Sequence, residues 1–344
     1  MLRQTDHIPQ GLLDLPAEAL EQVLGGPTLI HLSGRRRPAL LVSVLMHGNE
    51  TTGWEAVCRW LRQYRPGGGE KTLPRALSLF IGNVAAAARG LRRLPGQPDY
   101  NRVWPGCGDS DSPEKSMMAE VVRIMDDRGV FASIDLHNNT GLNPHYACVN
   151  VIDNRFLHLA ALFSRTVVYF LRPCGVQSLA MAKVCPSVTL ECGKVGQKHG
   201  TDHALDYLEA CIHLAEHPSL PVSPHDIDLF HTVATVKVPV GVSFGFGDEP
   251  GDLRLVSDLE YLNFRELQAG TVIAEAPAAR EVPLDVRDEQ GADVAGRYFS
   301  LEDGLIRTRL PVMPSMLTSD KTVIRQDCLC YLMERYDAHI PHDG

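Results

Sequence analysis

The stretch "LLVSVLMHGNETTG" (Leu40–Gly53) carries both the fold and the chemistry of this chain. Its first half lies in the apolar run "PALLVSVLM" (38–46), which is short and feeds a glycine-containing turn, the pattern of a buried strand. The run stops at His47, Gly48, Asn49 and Glu50. Beyond the turn, "GWEAVCRWLRQY" (53–64) sets Trp54, Val57, Trp60 and Leu61 on one helical stripe. Strand, polar turn and amphipathic helix together open an α/β unit.

Working outward, the same grammar repeats to about residue 215. "ALSLFIGN" (76–83) reads as a second strand. "SPEKSMMAEVVRIMDDRG" (112–129) is a punctuated helix, with Ser112 as N-cap, Pro113 in the first turn and Gly129 as stop. "VFASIDL" (130–136) is a strand followed by His137; "VVYFL" (167–171) and "SVTLE" (187–191) are further strands. "TDHALDYLEACIHLAEH" (201–217) closes the region as a helix. The expected fold is α/β, with a mixed, largely parallel sheet flanked by helices. After the Pro/Ser-rich stretch 216–226 the texture changes to short β-like segments between Gly, Pro and Asp. The reading is a domain over 1–217 and a smaller β-rich domain over 226–344. "PGGGE" (66–70) reads as a loop.

Bulk composition agrees with a folded globular chain. Of 344 residues, 44% are hydrophobic and 22% charged, with a mean hydropathy of −0.09, which permits a sizeable core. A net charge of −9 argues against nucleic acid or an anionic membrane as partner. The first twenty residues show no secretory pattern and no apolar run approaches a membrane span. The nine cysteines are therefore expected as reduced thiols in a cytoplasmic protein, a homo-oligomer being possible.

A His-x-x-Glu pair alone is weak evidence. Fourteen histidines, each with roughly a 6% chance of Glu three positions on, give about one match from composition. His213 and Glu216 supply such a match and read as an exposed helix end. His47 and Glu50 differ by position, because they lie beyond the carboxyl end of a strand, where open α/β sheets place their ligands. His137 and Glu191 occupy the same kind of place in "FASIDLHNNTG" and "PSVTLECGK". A catalytic zinc takes three ligands from His and carboxylate and keeps one position open; His47, Glu50 and His137 would make that set, with one Zn2+ per chain. Glu191 would be the further carboxylate that moves a proton between water and a leaving nitrogen. Taken singly, His137 reads more readily as a buried core histidine and Glu191 reads equally as a buried ion-pair partner; taken together, their order and topology favour the metal.

"HGNE", "NRVWPG" preceded by "LRRLPGQPDY", "DLHNNTG" and "LECGKVG" follow one another as in the succinylglutamate desuccinylase/aspartoacylase family, a relative of the zinc carboxypeptidases, which this chain resembles over most of residues 38–215. The resemblance implies a carboxypeptidase-like fold and a zinc-dependent hydrolase of small amides, acting on N-acyl amino acids through bonds other than peptide bonds. It implies zinc on His47, Glu50 and His137, with Glu191 as general acid/base. It also implies Asn101 and Arg102 as the pair that grips a substrate carboxylate, a task suited to a planar guanidinium beside an amide. From the residues alone this pair reads as a surface turn. Arg92, nine residues after Asn83, takes the role of stabilising the carbonyl oxygen, with Arg89 and Arg93 as flanking alternatives. The chain departs from the family where an Arg is expected about ten residues before the base: Met181 stands there, with Lys183 nearby. Two other functions share the pattern, a metallocarboxypeptidase acting on short peptides and a non-catalytic binding protein on the same fold.

Overall fold

The computed structural model describes residues 1–64, 72–108, 111–223 and 225–336; the loop expected at 66–70 lies outside them. The chain divides into two compact units. The first comprises Met1–Asn138 and His145–Asp228, and the second Asn139–Pro144 with the described part of Leu229–Ala338.

The first unit contains strands β1 (Arg3–Thr5), β2 (Thr28–Leu32), β3 (Ala39–Val44), β4 (Leu77–Ile81), β5 (Val130–Asn139), β6 (Tyr146–Val149), β7 (Thr166–Tyr169) and β8 (Ser187–Lys194). Their spatial order is β1-β2-β4-β3-β5-β8-β6-β7. β1 with β2, β3 with both β4 and β5, and β6 with β7 run parallel; β2–β4 and β6–β8 are antiparallel. The sheet is thus mixed and largely parallel, as expected. Its helices are α1 (Leu20–Leu24), α2 (Thr52–Leu61), α3 (Val84–Ala87), α4 (Pro113–Arg128), α5 (Asn154–Ala161), α6 (Gln177–Met181) and α7 (Lys198–His213).

β3 and β4 are almost wholly buried, which is why they read as continuous apolar runs rather than alternations. On one face Val44 and Leu136 meet Gly53 at the start of α2, where a Cβ would lie 2.8 Å from the Leu136 side chain. On the other, Leu41, Phe80, Trp104, Met117, Met118 and Val121 form an apolar cluster under α4, with Ala180 and Met181 of α6. Arg75, 1% exposed, ties sheet and helix together. It donates to the carbonyls of Pro38, Leu214 and Ala215 and lies over the Phe131 ring at 3.6 Å.

In the second unit, β9 (Asp228–Lys237) pairs antiparallel with β13 (Asp285–Asp288) and β17 (Cys330–Arg335), and β17 with β16 (Met313–Ser315). A separate sheet has the order β10-β11-β12-β15-β14, from Phe244–Phe246, Leu253–Leu255, Val272–Glu275, Leu305–Thr308 and Phe299–Glu302. The core of this unit includes Val236, Leu253, Leu255, Ala274, Val286 and Ile306. Its two described α-helices, α8 (Ala295–Tyr298) and α9 (Lys321–Gln326), are short.

The structure corrects several sequence readings. β1, β2, β6 and α5 lay in segments assigned no element. β5 continues through His137 to Asn139, and Glu191 sits inside β8 rather than at its end. The helix that closes the first unit, α7, runs from Lys198 to His213, four residues short of the expected end. Cys107 and Cys174 are joined as a disulfide, not held as thiols; their 67-residue separation hides the meeting of the loops that carry them. The other seven cysteines are buried thiols. Among the described residues no helix is long and apolar enough to cross a membrane.

Candidate active site

The site begins where β3 stops. Leu45, fully buried, takes the left-handed conformation at φ 59°, an uncommon state for a side chain with a Cβ that turns the strand sharply. Asn83 N donates to Leu45 O at 2.6 Å and Gly82 N to Val44 O at 3.0 Å, so the β4 turn holds the β3 turn. Gly48 is demanded by packing: a Cβ there would lie 2.2 Å from Ala87 N of α3. Gly48 N also donates to Arg92 O, which brings the arginine loop to the same corner. Glu50 N closes back on His47 O at 3.1 Å, and α2 begins two residues later.

His47, Glu50 and His137 converge there, buried, with one ligand atom from each within 4.8 Å of the others. It is the one such His/Cys/Asp/Glu group among the described residues. Glu50 bridges the rings: Oε1 accepts from His47 Nδ1 at 2.7 Å and Oε2 from His137 Nδ1 at 2.8 Å. The far nitrogens are also met by carboxylates, His47 Nε2 by Asp99 Oδ1 at 3.0 Å and His137 Nε2 by Asp135 Oδ2 at 2.9 Å. Carboxylates only accept, so each of these contacts asks for a proton or a metal ion at the ring nitrogen. Burial and Arg92 act to lower the His47 pKa, but Glu50 and Asp99 outweigh them and raise it. Burial likewise opposes the rise at His137, where Asp135 and Glu50 push it well above the usual value. His47 and His137 in turn hold Glu50 low against its burial.

This donor set fits a divalent metal. The Nε2–H groups stay on Asp99 and Asp135, the outer hydrogen bonds that orient histidine ligands. The inward Nδ1 atoms and Glu50 would be the ligands, and the chemistry of two imidazoles with one carboxylate suits zinc.

The other expected residues fall around this cluster. Of the three candidate arginines, Arg92 turns to it: Nη1 lies 3.7 Å from Glu50 Oε1, while Nε and Nη2 donate to Asp99 Oδ2 at 3.3 and 3.1 Å. Arg89 instead reaches Ala85 O and Arg93 reaches Gln97 O. Asn101 is 8% exposed, its amide nitrogen 3.4 Å from His137 Nε2. Arg102 follows, partly buried, donating to Asn101 O at 2.8 Å. Glu191 stands in β8 opposite Tyr146, buried. Burial pushes its pKa up to about 7, with His137 and His47 drawing it down and Glu50 and Asp135 driving it up. Met181 is packed in the apolar cluster under α4, and Lys183 is exposed beside Gly106. His213 pairs with Glu209 on its own helix at 3.2 Å, not with Glu216.

Three residues outside the sequence reading complete the site. Asp99 joins His47, Arg92 and the backbone N of Asn101 (2.8 Å), and all its positive neighbours keep its carboxyl well below the usual range despite burial. Asp135 had a local signal, because two positions before His137 on a strand is the same face. Asn138 laces three strand ends: its N donates to Glu50 Oε2 at 3.1 Å, and its amide to Thr52 Oγ1 and Gly193 O at 2.9 and 2.8 Å.

Comparison with known proteins bears on the fold and the family. The succinylglutamate desuccinylase from Chromobacterium violaceum superposes with a TM-score of 0.59 at 17% identity, over 90% of this chain and 89% of that one. Murine aminoacylase 3 gives 0.52 at 16%, over 88% and 96%. The product-bound ectoine utilization protein from Ruegeria pomeroyi gives 0.53 at 16%, over 89% and 88%. These likenesses show the fold. No curated protein matches the sequence. The model of the succinylglutamate desuccinylase/aspartoacylase catalytic domain matches residues 36–213, just over half of the chain. The chain therefore belongs to the succinylglutamate desuccinylase/aspartoacylase family.

Proposed function

We propose that this protein is a zinc-dependent hydrolase that cleaves the amide bond of small N-acyl amino acids. The observation that carries the reading is the buried His47–Glu50–His137 set, each ring backed by a carboxylate, with a second buried carboxylate, Glu191, within electrostatic reach. His47, Glu50 and His137 would hold one zinc ion, which when bound supplies a Lewis acid that acidifies water and polarises a carbonyl.

The chain's own residues do the rest. Glu191, poised near neutrality, takes a proton from the attacking water and returns it to the departing nitrogen, so the carboxylate ends the cycle as it began. Arg92 meets the carbonyl oxygen as negative charge grows on it; one good donor of this kind is worth roughly 3 kcal/mol. Asn101 and Arg102 hold the carboxylate of the amino acid that leaves. That the structural neighbours include a succinylglutamate desuccinylase and an aminoacylase supports the same reading. A panel of N-acyl amino acids against short peptides, assayed on zinc-loaded protein, tests the reading. Turnover of the N-acyl amino acids with Glu191→Gln inactive is expected; preferential cleavage of peptides would make it a carboxypeptidase. Protein that takes up no stoichiometric zinc would overturn the proposal.

A further inference from the structure

Residues 101–108, which carry Asn101 and Arg102, meet a second loop, residues 172–176, that leads into α6. Cys107 and Cys174 are joined there, their Cα atoms 5.5 Å apart, a separation that suits a disulfide. Two further contacts sew the loops together. Trp104 N donates to Gly175 O at 3.0 Å. Gly175, at φ +76°, lies so close that a Cβ would stand 2.3 Å from Arg102 O and 2.6 Å from its carbonyl carbon. The Arg102 backbone is thus gripped between Asp99, whose carbonyl takes its N–H at 2.9 Å, and the 174–175 turn.

These two cysteines differ from the rest of the chain's thiols. The other seven are buried, whereas Cys107 and Cys174 are partly exposed and Cys107 sits between exposed Gly106 and Gly108. Arg172 Nη1 is 3.2 Å from Cys174 Sγ. A guanidinium beside sulfur stabilises the thiolate and makes Cys174 the better leaving group in exchange. An incoming thiolate therefore attacks Cys107 Sγ.

We propose that the Cys107–Cys174 pair is a redox-governed clasp that positions Arg102, so that a substrate carboxylate is bound tightly in the disulfide form and weakly in the dithiol form. The clasp rests on the reading of Arg102 as carboxylate anchor. The chemistry balances with a small dithiol as reductant. Its thiolate forms a mixed disulfide with Cys107 as the Cys107–Cys174 bond breaks, and Cys174 leaves with the electron pair and takes a proton. The second reductant thiol then displaces Cys107, so two electrons and two protons enter the protein and the reductant becomes a cyclic disulfide. Cys107 and Cys174 are positioning residues and touch no reacting atom.

The test uses the full-length, zinc-loaded protein equilibrated in oxidised or reduced dithiothreitol. Denaturation in excess alkylating reagent should label seven cysteines after oxidation and all nine after reduction. On reduction KM for an N-acyl amino acid should rise about tenfold with kcat unchanged. Cys107→Ser and Cys174→Ser should show the raised KM in both buffers. Amide hydrogen exchange over residues 101–106 should quicken on reduction, a reading that needs no substrate. If no N-acyl amino acid is turned over, the proposed function fails while labelling and exchange still judge the clasp. Nine labelled cysteines under oxidising conditions, or KM and exchange indifferent to redox state, would overturn it.

Discussion

Asp99 shows why a site residue can be invisible in a sequence. A lone aspartate in "LPGQPDY" has no periodicity, no paired neighbour and no strand to end. Its role arises only when the chain closes, placing one oxygen on His47 and the other on Arg92. Asp99→Asn should therefore weaken zinc and loosen the arginine together. A 10- to 100-fold loss of zinc affinity, measured by chelator competition, is the expected scale for an outer carboxylate on a histidine ligand. Unchanged affinity would reject this link. Glu191 admits a sharper test in the metal-free chain. Its folded pKa is raised to about 7 from 4.5, so the folded state binds more protons than the unfolded state between those values. Its proton-linked stability is full below the unfolded value and is lost as pH rises through 7. Above that, the buried charge costs on the order of 3 kcal/mol. Glu191→Gln removes this cost. In urea titrations of metal-free protein the variant should match the parent near pH 4.5 and exceed it at pH 8.5. An equal difference at both pH values would refute the assignment.

At the scale of elements, legibility followed burial and punctuation. β3 and β4, apolar on both faces, stood out as runs, and α4 was marked by its cap: Ser112 Oγ accepts from Lys115 N at 3.1 Å with Pro113 next in line. β6 escaped because "YACV" is brief, and its place between β7 and β8 is set by long-range pairing that no local pattern announces. α5 was missed despite a readable signal, Asp153 capping Arg155 N ahead of Phe156, Leu157, Leu159 and Ala160. The turn between β3 and α2 was legible in its ligands but not in its glycine. Only the packed structure shows that Gly48 must lack a Cβ, because α3 runs against it. Gly48→Ala should move the His47 turn away from Ala87, since a 2.2 Å approach to backbone cannot be absorbed by a rotamer change. The expected cost is about 3 kcal/mol or more of stability. As a control, Ser112→Ala at the α4 cap should cost about 1 kcal/mol and leave zinc affinity alone. Gly48→Ala with the milder phenotype of the two would contradict the packing argument.

Across the whole molecule, the candidate metal set links distant chain: Glu50 and His137 are 87 residues apart and come from a β3 turn and the end of β5. Only the folded first unit brings them together, so an ion bound there stabilises the native state and not the unfolded one. At a free zinc concentration 1,000 times Kd the gain is about 4 kcal/mol, a rise in the thermal midpoint on the order of 10 °C for a unit of this size. The gain must also depend on pH, with a sign the site dictates. A metal and protons would compete for rings whose pKa values Glu50 and its fellow carboxylates raise against burial. At fixed free zinc, lowering the pH lets protons compete, so the midpoint shift should shrink on acidification and grow towards alkaline pH. His137→Ala removes one ligand and should abolish the shift at every pH, while Glu191→Gln, which removes none, should preserve it. Thermal scans of the three proteins with and without buffered zinc at pH 6 and pH 8 decide the matter. A shift that survives in His137→Ala, or that is larger at pH 6 than at pH 8 in the parent, would place the ion elsewhere than between these histidines.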